Sequence, residues 1–232
     1  MDEAEFDKFA AEYEHQHAEN IRVSGETPAF FAKYKVDDVA ASLRGLGREP
    51  ARILDFGGGV GNSLGFFLDA FPRSQIVLLD PSSKSLDLAR KRYPGRATFQ
   101  PFDGRKIPYP DGSFDLVFAA CVFHHIPAEM HVPLLREIER VLAPGGSFFV
   151  FEHNPCNPVT VRIVKECPFD ENAVLISAGS MRRTLCAAGL APHRIAYRIF
   201  FPNFLRSLRG LERYLSRLPL GAQYYAHAIK AG

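Results

Sequence analysis

Acidic and histidine side chains follow apolar runs at several points of this chain. One such run ends at Asp55, close to the glycine-rich turn 57–61, and a second ends at Asp80. Later runs end at five further candidates: Asp103, His124, His125, Glu152 and His153. Carboxylates accept hydrogen bonds from hydroxyl and amino groups, and a neutral imidazole accepts a proton near pH 7. These residue types suit a site that binds a hydroxylated ligand and moves a proton.

The glycine-rich turn is the feature around which the other candidates are arranged. It lies between an apolar run at 53–56 and a helical pattern at 62–71. Glycine permits unusual backbone angles and close approach of a ligand, and the amides at the start of a helix are free to bind one. We therefore expect a ligand to lie across this turn.

Apolar runs alternate with helical patterns, and this alternation predicts the elements that position the candidates. Strands are expected at 53–56, 76–80, 97–102, 114–119, 147–151, 193–201 and 222–230, with helices at 28–46, 62–71, from Ser82 or Ser83, from Pro127 to the turn at 144–146, and at 182–189. The alternation is typical of a parallel sheet covered on both faces, whose ligand lies at the carboxyl ends of the strands. The candidate residues then share one edge, where a single crevice can hold them.

Composition bounds the class of protein. Of the 232 residues, 47% are hydrophobic, which supports a sizeable core and a single domain over 1–232. A net charge of +2 does not indicate a nucleic-acid partner. Four cysteines without C-x-x-C spacing and an acidic start unlike a signal peptide predict a reduced, cytoplasmic protein. No apolar run approaches the about 20 residues of a transmembrane span, so none is expected.

Two classes of enzyme place glycines after a strand and an acid farther along. A nicotinamide site needs G-x-G-x-x-G, with an acid about 20 residues later, but from Gly57 that spacing would require glycine at position 62, which is Asn62. The chain instead satisfies D-x-G-x-G-x-G at Asp55, Gly57, Gly59 and Gly61. A nicotinamide-dependent oxidoreductase is therefore the less favoured alternative.

Over about residues 50–153 the chain resembles the Rossmann-like S-adenosylmethionine-dependent methyltransferases. The glycine motif is followed, in order, by five features of that family: Asp80, Asp103-Gly104 before Ile107-Pro108, the segment 113–117, His124-His125, and the segment 140–146. The resemblance implies a doubly wound α/β fold whose seven-stranded sheet is mostly parallel with an antiparallel last strand. It also implies a sixth and seventh strand paired as a hairpin.

The same resemblance implies how the cofactor, S-adenosylmethionine, is bound. Asp55 and the glycine turn would face its methionine part, and Asp80, followed by Pro81, its ribose. Asp103 would face the adenine amino group, with Gly104 near the ring and the segment from Ala119 to Cys121 on the remaining side. The ribose assignment also follows from the residues, because an acid at the end of the second strand is where such sheets hold ribose hydroxyls.

The implied activity is transfer of a methyl group to a small-molecule or lipid-like acceptor. His124, His125 and His153 are candidate general bases, and Glu152 and Tyr13 are candidate acceptor contacts; Tyr13 would shield the sulfonium through a cation–π contact. No metal is expected, because His15 and His17 lack a compatible third ligand. A protein that binds the cofactor without catalysis remains an alternative. The sequence determines neither the acceptor atom nor the oligomeric state.

Three segments lie outside the motifs. Residues 1–48 contain helical patterns at 5–19 and 28–46, which either pack on the core or form a lid over the ligand. Residues 154–173 look like an insertion that overhangs the crevice. A second insertion, 202–218, interleaves leucines and arginines at helical spacing, so it either packs its leucines on the core or contacts a membrane surface.

Overall fold

The structure, a computed structural model, describes residues 25–167, 170 and 172–232. Its helices are α1 (Pro28–Gly45), α2 (Leu64–Ala70), α3 (Ser83–Arg92), α4 (Ala128–Val141), α5 (Pro158–Glu166), α6 (Ala178–Ala187) and α7 (Glu212–Leu215). Its strands are β1 (Arg52–Phe56), β2 (Gln75–Asp80), β3 (Thr98–Pro101), β4 (Phe114–Ala120), β5 (Leu142–His153), β6 (Ala191–Arg198) and β7 (Gln223–Ile229). Two 3-10 helices cover Phe123–His125 and Asn203–Leu211.

The strands form one seven-stranded sheet in the order β3-β2-β1-β4-β5-β7-β6. Pairing is parallel from β3 to β5, whereas β7 lies antiparallel between β5 and β6. This arrangement confirms the doubly wound sheet with an antiparallel last strand. The strand order reverses between β1 and β4, and α/β sheets bind their ligands at the carboxyl ends of the strands at such a switch point.

Alternate residues of β1 contact the two layers of helices. Leu54 packs in a core cluster that includes Ile138 of α4. Ile53 packs in a second cluster with Val36 and Val39 of α1. Because both faces of the strand are covered, its sequence is almost continuously apolar instead of alternating.

Helix α1 is held at its start by a side-chain cap and at its middle by the core. Thr27 Oγ1 accepts a hydrogen bond from the Phe30 amide at 3.3 Å, and Pro28 occupies the first turn, where its missing N–H costs nothing. The buried face of α1 covers the sheet. The part of the 1–48 segment that the structure describes is therefore a core helix, while the expected helix at 5–19 lies outside the described residues.

The sequence predicted that the turn at 144–146 ends a helix. In the structure this turn lies within the long strand β5. Helix α4 ends at Val141, and β5 begins at Leu142. The Gly145 amide donates to Lys230 O at 3.1 Å and the Lys230 amide donates to Gly146 O at 3.0 Å. These bonds carry the ladder between β5 and the chain after β7 through the turn, which explains the difference.

The insertion 202–218 differs more strongly from expectation. Its first part is a 3-10 helix, and its apolar side chains are not in the core: Phe204 is 80% exposed and Leu211 is 50% exposed. Glu212 determines this path, since its carboxylate accepts hydrogen bonds from the amides of Ile199, Phe200 and Phe201. The prediction that the leucines pack on the core is wrong. Within the described ranges, every helix is too short or too polar to span a bilayer.

Candidate active site

The glycine turn after β1 has a backbone that other residues would strain. Gly57, Gly59 and Gly61 have φ angles of 72°, 52° and 78°, in the left-handed region. A Cβ on Gly57 would lie 2.6 Å from Val122 Cγ2 at the end of β4, and one on Gly58 would lie 2.5 Å from Leu78 Cγ of β2. The turn is thus pressed between the two neighbouring strands, at the switch point of the sheet.

Asp80 at the end of β2 fixes the conformation of this turn. Its Oδ2 accepts a hydrogen bond from the Gly59 amide at 2.8 Å, and its Oδ1 accepts one from the Ser82 amide at 2.9 Å. Ser82 in turn caps α3 by accepting from the Ser85 amide at 3.1 Å, and Pro81 between them is buried. Asp80 therefore organises the site, and its contact with a ribose stays a prediction.

Asp55 near the end of β1 is a buried acid with an unsatisfied oxygen. The side chain is 3% exposed, and its Oδ2 has no hydrogen-bond partner among the described residues. Burial raises the pKa of this carboxyl to about 7, and the nearby Asp80 carboxylate adds to the rise. An unpaired buried acceptor is costly, so this oxygen is suited to a donor supplied by a ligand.

The remaining residues of the predicted cofactor site follow β3 and end β4. Asp103 is exposed and accepts hydrogen bonds from the Arg105 and Lys106 amides at 2.8 and 2.9 Å, which lower its pKa. Gly104 has a φ of 78°, which this turn requires. Ala119 is fully buried in the core, while the following positions 120 and 121 are half-buried. The crevice is therefore bounded by the end of β4 after Ala119.

Glu152 of β5, expected to contact the acceptor, is instead fully buried and engaged within the protein. Its Oε1 accepts from the Phe123 amide at 2.8 Å, and its Oε2 accepts from His124 Nδ1–H at 2.5 Å. Burial raises the pKa of Glu152, but the neighbouring His124 outweighs it and the pKa is lowered. Glu152 therefore holds His124 in place and does not face a substrate.

His124 does not fit the predicted role of general base. Burial lowers its pKa, but Glu152 on Nδ1 and Asp170, 3.4 Å from Nε2, hold the pKa well above its usual range. A histidine that is already protonated cannot accept another proton. His125 differs, because burial and the adjacent His124 lower its pKa to about 4, so it is neutral near pH 7.

A second group of side chains surrounds Cys121 just after β4, and the sequence indicated Cys121 and His153 but not Lys35 or Gln223. Lys35 Nζ of α1 lies 3.6 Å from Cys121 Sγ, and Gln223 Nε2 of β7 lies 3.9 Å from it. Gln223 also donates to His153 Nδ1 at 3.3 Å and accepts from the hydroxyl of Tyr34. The positive φ of Cys121, 59°, is the only local sign of a special position, and sequence patterns do not reveal it.

The thiol of Cys121 is shifted toward its ionised form. Burial raises its pKa, but the charges of Lys35 and His153 outweigh burial and bring the pKa from 9 to about 7. Thiolate character increases nucleophilicity and metal affinity. Cys121 is therefore a candidate nucleophile or ligand at this end of the crevice, with His153 within hydrogen-bond reach.

A cleft of about 820 Å³ adjoins the histidines. It is lined mainly by the 154–173 insertion and the residues after it, among them Val161, Val164, Lys165, Asp170 and Val174. The Val174 amide donates to the carbonyl of His124 at 2.9 Å, which joins the wall of the cleft to the histidine turn. The described part of the segment 154–173 thus lines this cleft, and that the segment overhangs the cofactor crevice stays a prediction.

Comparisons with known proteins agree with this architecture. Residues 54–150 match the model of a family described as a methyltransferase domain. Trans-aconitate 2-methyltransferase of Methylobacterium nodulans is 35% identical over 143 residues, which are 60% of this chain and 53% of that protein. Demethylmenaquinone methyltransferase of Deinococcus radiodurans is 34% identical over 119 residues, which are 50% of this chain and 48% of that protein. The chain spans about half the length of these curated relatives.

Solved structures share the fold. An S-adenosylmethionine-dependent methyltransferase from Thermotoga maritima superposes with a TM-score of 0.67 at 20% identity, covering 98% of both chains. Geranyl diphosphate C-methyltransferase from Streptomyces coelicolor, determined with S-adenosylhomocysteine, gives 0.62 at 17% identity, covering 84% of this chain and 76% of that one. At these identities the likeness shows the fold alone. The fold that these structures share with this chain is the Rossmann-like one. Residues 54–150 of this chain, which include the glycine turn and Asp80, are similar to the methyltransferase-domain family.

The cofactor of this family, S-adenosylmethionine, fits the residues at the switch point. There is no room for a Cβ on Gly57 or Gly58, and the unsatisfied Oδ2 of Asp55 lies beside Gly58. A ligand that carries an ammonium group and hydroxyls supplies the donors that such carboxylates lack. The nicotinamide alternative has no support from the family match.

Proposed function

We propose that this chain transfers a methyl group from S-adenosylmethionine to a small-molecule or lipid-like acceptor. The observation that carries the proposal is the glycine turn, held by Asp80 and bordered by the unsatisfied acid Asp55, together with the cleft whose wall adjoins the histidine turn. The first feature suits the donor and the second suits an acceptor. Their adjacency is what group transfer requires.

We assign the cofactor contacts as the sequence suggested. Asp55 would accept from the ammonium group of the methionine part, and Asp80 would accept from the ribose hydroxyls while keeping its bonds to the turn. Asp103, at the end of β3, would face the adenine amino group, with Gly104 near the ring. Pro81 and the backbone of Ala119 complete the walls. The burial of Asp55 and Asp80 supports this order, because hydrogen bonds to a buried carboxylate are strong.

The protein's own part in the reaction is alignment and, for an oxygen acceptor, removal of a proton. S-adenosylmethionine supplies the activated methyl on a sulfonium leaving group. The raised pKa and the burial of His124 disfavour it as the base, which leaves His125 and His153 as the candidate bases. Gln223 orients His153 by donating to its Nδ1. The variants His125→Gln and His153→Gln separate the two, because the loss of the base lowers kcat more than cofactor affinity.

The acceptor class follows from the cleft and from the relatives. Val161, Val164 and Val174 give the cleft an apolar lining, and Lys165 adds a positive charge at its wall. The two relatives are named for trans-aconitate, a small acid, and for demethylmenaquinone, a quinone. We propose an acceptor with an apolar body and a polar or anionic end.

A methyl-transfer screen tests the proposed function. Quinols, phenols, small carboxylic acids, sugars, lipids and small amines would each be incubated with S-adenosylmethionine, and formation of S-adenosylhomocysteine measured. The Gly57→Val variant is the matched control, because it should fold less well around the cofactor and give no product. Tight cofactor binding without turnover on every class of acceptor would favour the alternative, a cofactor-binding protein without catalysis.

We also propose that the exposed segment 203–220 contacts an anionic membrane surface on the cytoplasmic side. Phe204, Leu211, Tyr214 and Leu220 are all at least half exposed, and arginines lie among them. Such a segment binds acidic lipid through apolar insertion and charge together. None of the four cysteines, all of which the structure describes, forms a disulfide, as a reducing compartment favours. Flotation with phosphatidylserine vesicles in low salt tests the contact, and protein that stays with the pellet fraction contradicts it.

A further inference from the structure

Three metal-ligating atoms converge at the histidine turn after β4. His124 Nε2 and His125 Nε2 each lie 3.4 Å from Asp170 Oδ1, and all three atoms lie within 4.8 Å of one another. Asp170 comes from the 154–173 insertion, far away in the chain. Two imidazoles and one carboxylate are a ligand set that transition metals use, with open positions left for substrate.

The distances between these atoms suit a small metal ion. A tetrahedral site with bonds of about 2.0–2.1 Å separates its ligand atoms by about 3.3–3.4 Å. Two of the three separations here have that length. The third, between the two histidine nitrogens, is no longer than 4.8 Å.

Glu152 supplies the support that a metal-binding histidine needs. Its Oε2 accepts from Nδ1–H of His124, which directs Nε2 of the same ring toward Asp170. The carboxylate is itself fixed by the Phe123 amide and is fully buried. A carboxylate on the far nitrogen is the usual partner of a metal-ligating histidine, because it fixes the ring orientation and raises ligand basicity.

The two segments that carry the ligands are fastened to each other without any ion. Val174 donates to His124 O at 2.9 Å, Asp170 donates from its amide to Cys167 O at 3.0 Å, and Ala173 donates to Asp170 O at 2.9 Å. Asp170 also lines the cleft of the proposed acceptor site. An ion at these ligands is therefore reached from the cleft.

A simple ion pair does not explain the whole arrangement. Glu152 alone gives His124 a buried charge partner, so a second carboxylate is not needed to satisfy it. His125 is also directed at the same oxygen of Asp170. Two imidazole nitrogens that converge on one carboxylate oxygen are what a shared ligand would require.

We propose that His124, His125 and Asp170 bind one divalent transition-metal ion, zinc in the first place, which replaces the Nε2 proton of His124 and keeps an open coordination position toward the cleft. That position accepts an oxygen or nitrogen of the acceptor molecule and holds it in place. Metal binding goes beyond methyl transfer and does not depend on it. With His125 occupied as a ligand, proton removal falls to His153.

Isothermal titration with Zn²⁺ on chelator-treated protein tests the site directly, and Co²⁺ provides a visible spectrum that reports on ligand geometry. We expect one ion per chain and a tetrahedral-type Co²⁺ spectrum. Asp170→Asn and His125→Gln should each weaken binding by more than about 100-fold, beyond the about 10–100-fold typical of losing a supporting residue. Glu152→Gln should fall within that lower range.

The matched control is the double variant His15→Gln/His17→Gln, which removes the other closely spaced histidine pair of the sequence. It should bind zinc as the unmodified protein does. Absence of stoichiometric binding, or binding lost in the control and kept in Asp170→Asn, overturns the proposal. If His125→Gln does not melt cooperatively, zinc binding by Asp170→Asn alone tests the proposal. This substitution replaces one side-chain oxygen by nitrogen and should leave the fold intact. Neither readout involves methyl transfer, so failure of this proposal leaves the proposed function untouched.

Discussion

Asp80 and Gly59 are joined by a 2.8 Å hydrogen bond from the glycine amide to Oδ2 of the acid. The bond ties the end of β2 to the middle of the turn after β1. The residue expected to hold a ribose therefore also shapes the turn that receives the rest of the cofactor. Loss of the acid should affect both functions at once.

The variant Asp80→Ala should weaken S-adenosylmethionine binding at least tenfold. Two hydrogen bonds to a charged acceptor contribute about 1.5–3 kcal/mol each, and about 1.4 kcal/mol corresponds to a factor of ten in affinity. Calorimetric titration measures the change, with Asp69→Ala on the exposed part of α2 as control. Unchanged affinity would remove Asp80 from the ribose site.

The variant Gly57→Val should abolish cofactor binding and lower the melting temperature. Its Cβ would meet Val122 Cγ2 at 2.6 Å, and its φ of 72° disfavours a branched side chain. Gly47→Val is the matched control, since Gly47 has a φ of 65° and nothing within 4 Å of its Cβ position. The change in melting temperature of the Gly47 variant measures the effect of backbone strain without a steric clash. Normal cofactor binding by the Gly57 variant would contradict the position assigned to the turn.

The variant Asp55→Asn should stabilise the ligand-free protein at pH 8 but not at pH 4. The folded state raises the pKa of Asp55 from 3.8 to about 7, so it binds more protons than the unfolded chain between these values. Stability therefore falls as pH rises through that window, by roughly 2–4 kcal/mol at about 1.4 kcal/mol per unit of pKa. Melting temperatures across pH 4 to 8 measure the effect, and cofactor affinity should drop in the same variant. If the difference in melting temperature between variant and parent were the same at every pH from 4 to 8, it would contradict the burial of the Asp55 charge.

Alkylation of Cys121 should have a midpoint near pH 7. The ammonium of Lys35 and the imidazole of His153 outweigh the burial that would raise the thiol pKa. Lys35→Met should move the midpoint toward 9, whereas Lys33→Met, on an exposed position of the same helix, should leave it in place. Peptide mass spectrometry after iodoacetamide treatment measures the rate at this one cysteine. Identical midpoints in the two variants would exclude Lys35 as the cause.

Deleting residues 1–20 should leave a folded protein that binds cofactor but transfers methyl groups far more slowly. The reason is the expected lid, in which Tyr13 shields the sulfonium by a cation–π contact of about 0.5–2 kcal/mol. Melting temperature, cofactor affinity and transfer rate would be measured on the same sample. Joint loss of melting temperature and affinity would show that the segment completes the core, and full transfer activity would exclude a lid.

The sequence predicts best the parts of the site that depend on neighbours in the chain. Gly57 and Asp55 can be predicted from the sequence because a ligand-binding turn between a buried strand and a helix needs them within a few positions of each other. The parallel pairing of the first five strands follows from the alternation of strands and helices. Ser82 as the cap of α3 was also one of two predicted choices.

The parts that the sequence does not predict depend on contacts between distant segments. Glu152 looks like an exposed strand end, but pairing with the turn before His124 buries it completely. Lys35 reads as the polar position of a helix, yet packing of α1 brings it to Cys121. Leucines spaced like a core helix are exposed because Glu212 binds three amides and directs the chain along the surface. In each case, contacts between segments distant in the chain determine where the side chain lies.

The position of β7 between β5 and β6 has a consequence for synthesis on the ribosome. Strand β6 is made before β7, but its pairing partner in the sheet is β7. Until residues 223–229 leave the exit tunnel, β6 has no strand to join, and the apolar edge of β5 with Phe149 and Phe151 stays open. The growing chain therefore carries an unprotected strand edge for as long as translation of the segment 154–222 lasts, which is when a chaperone would be needed.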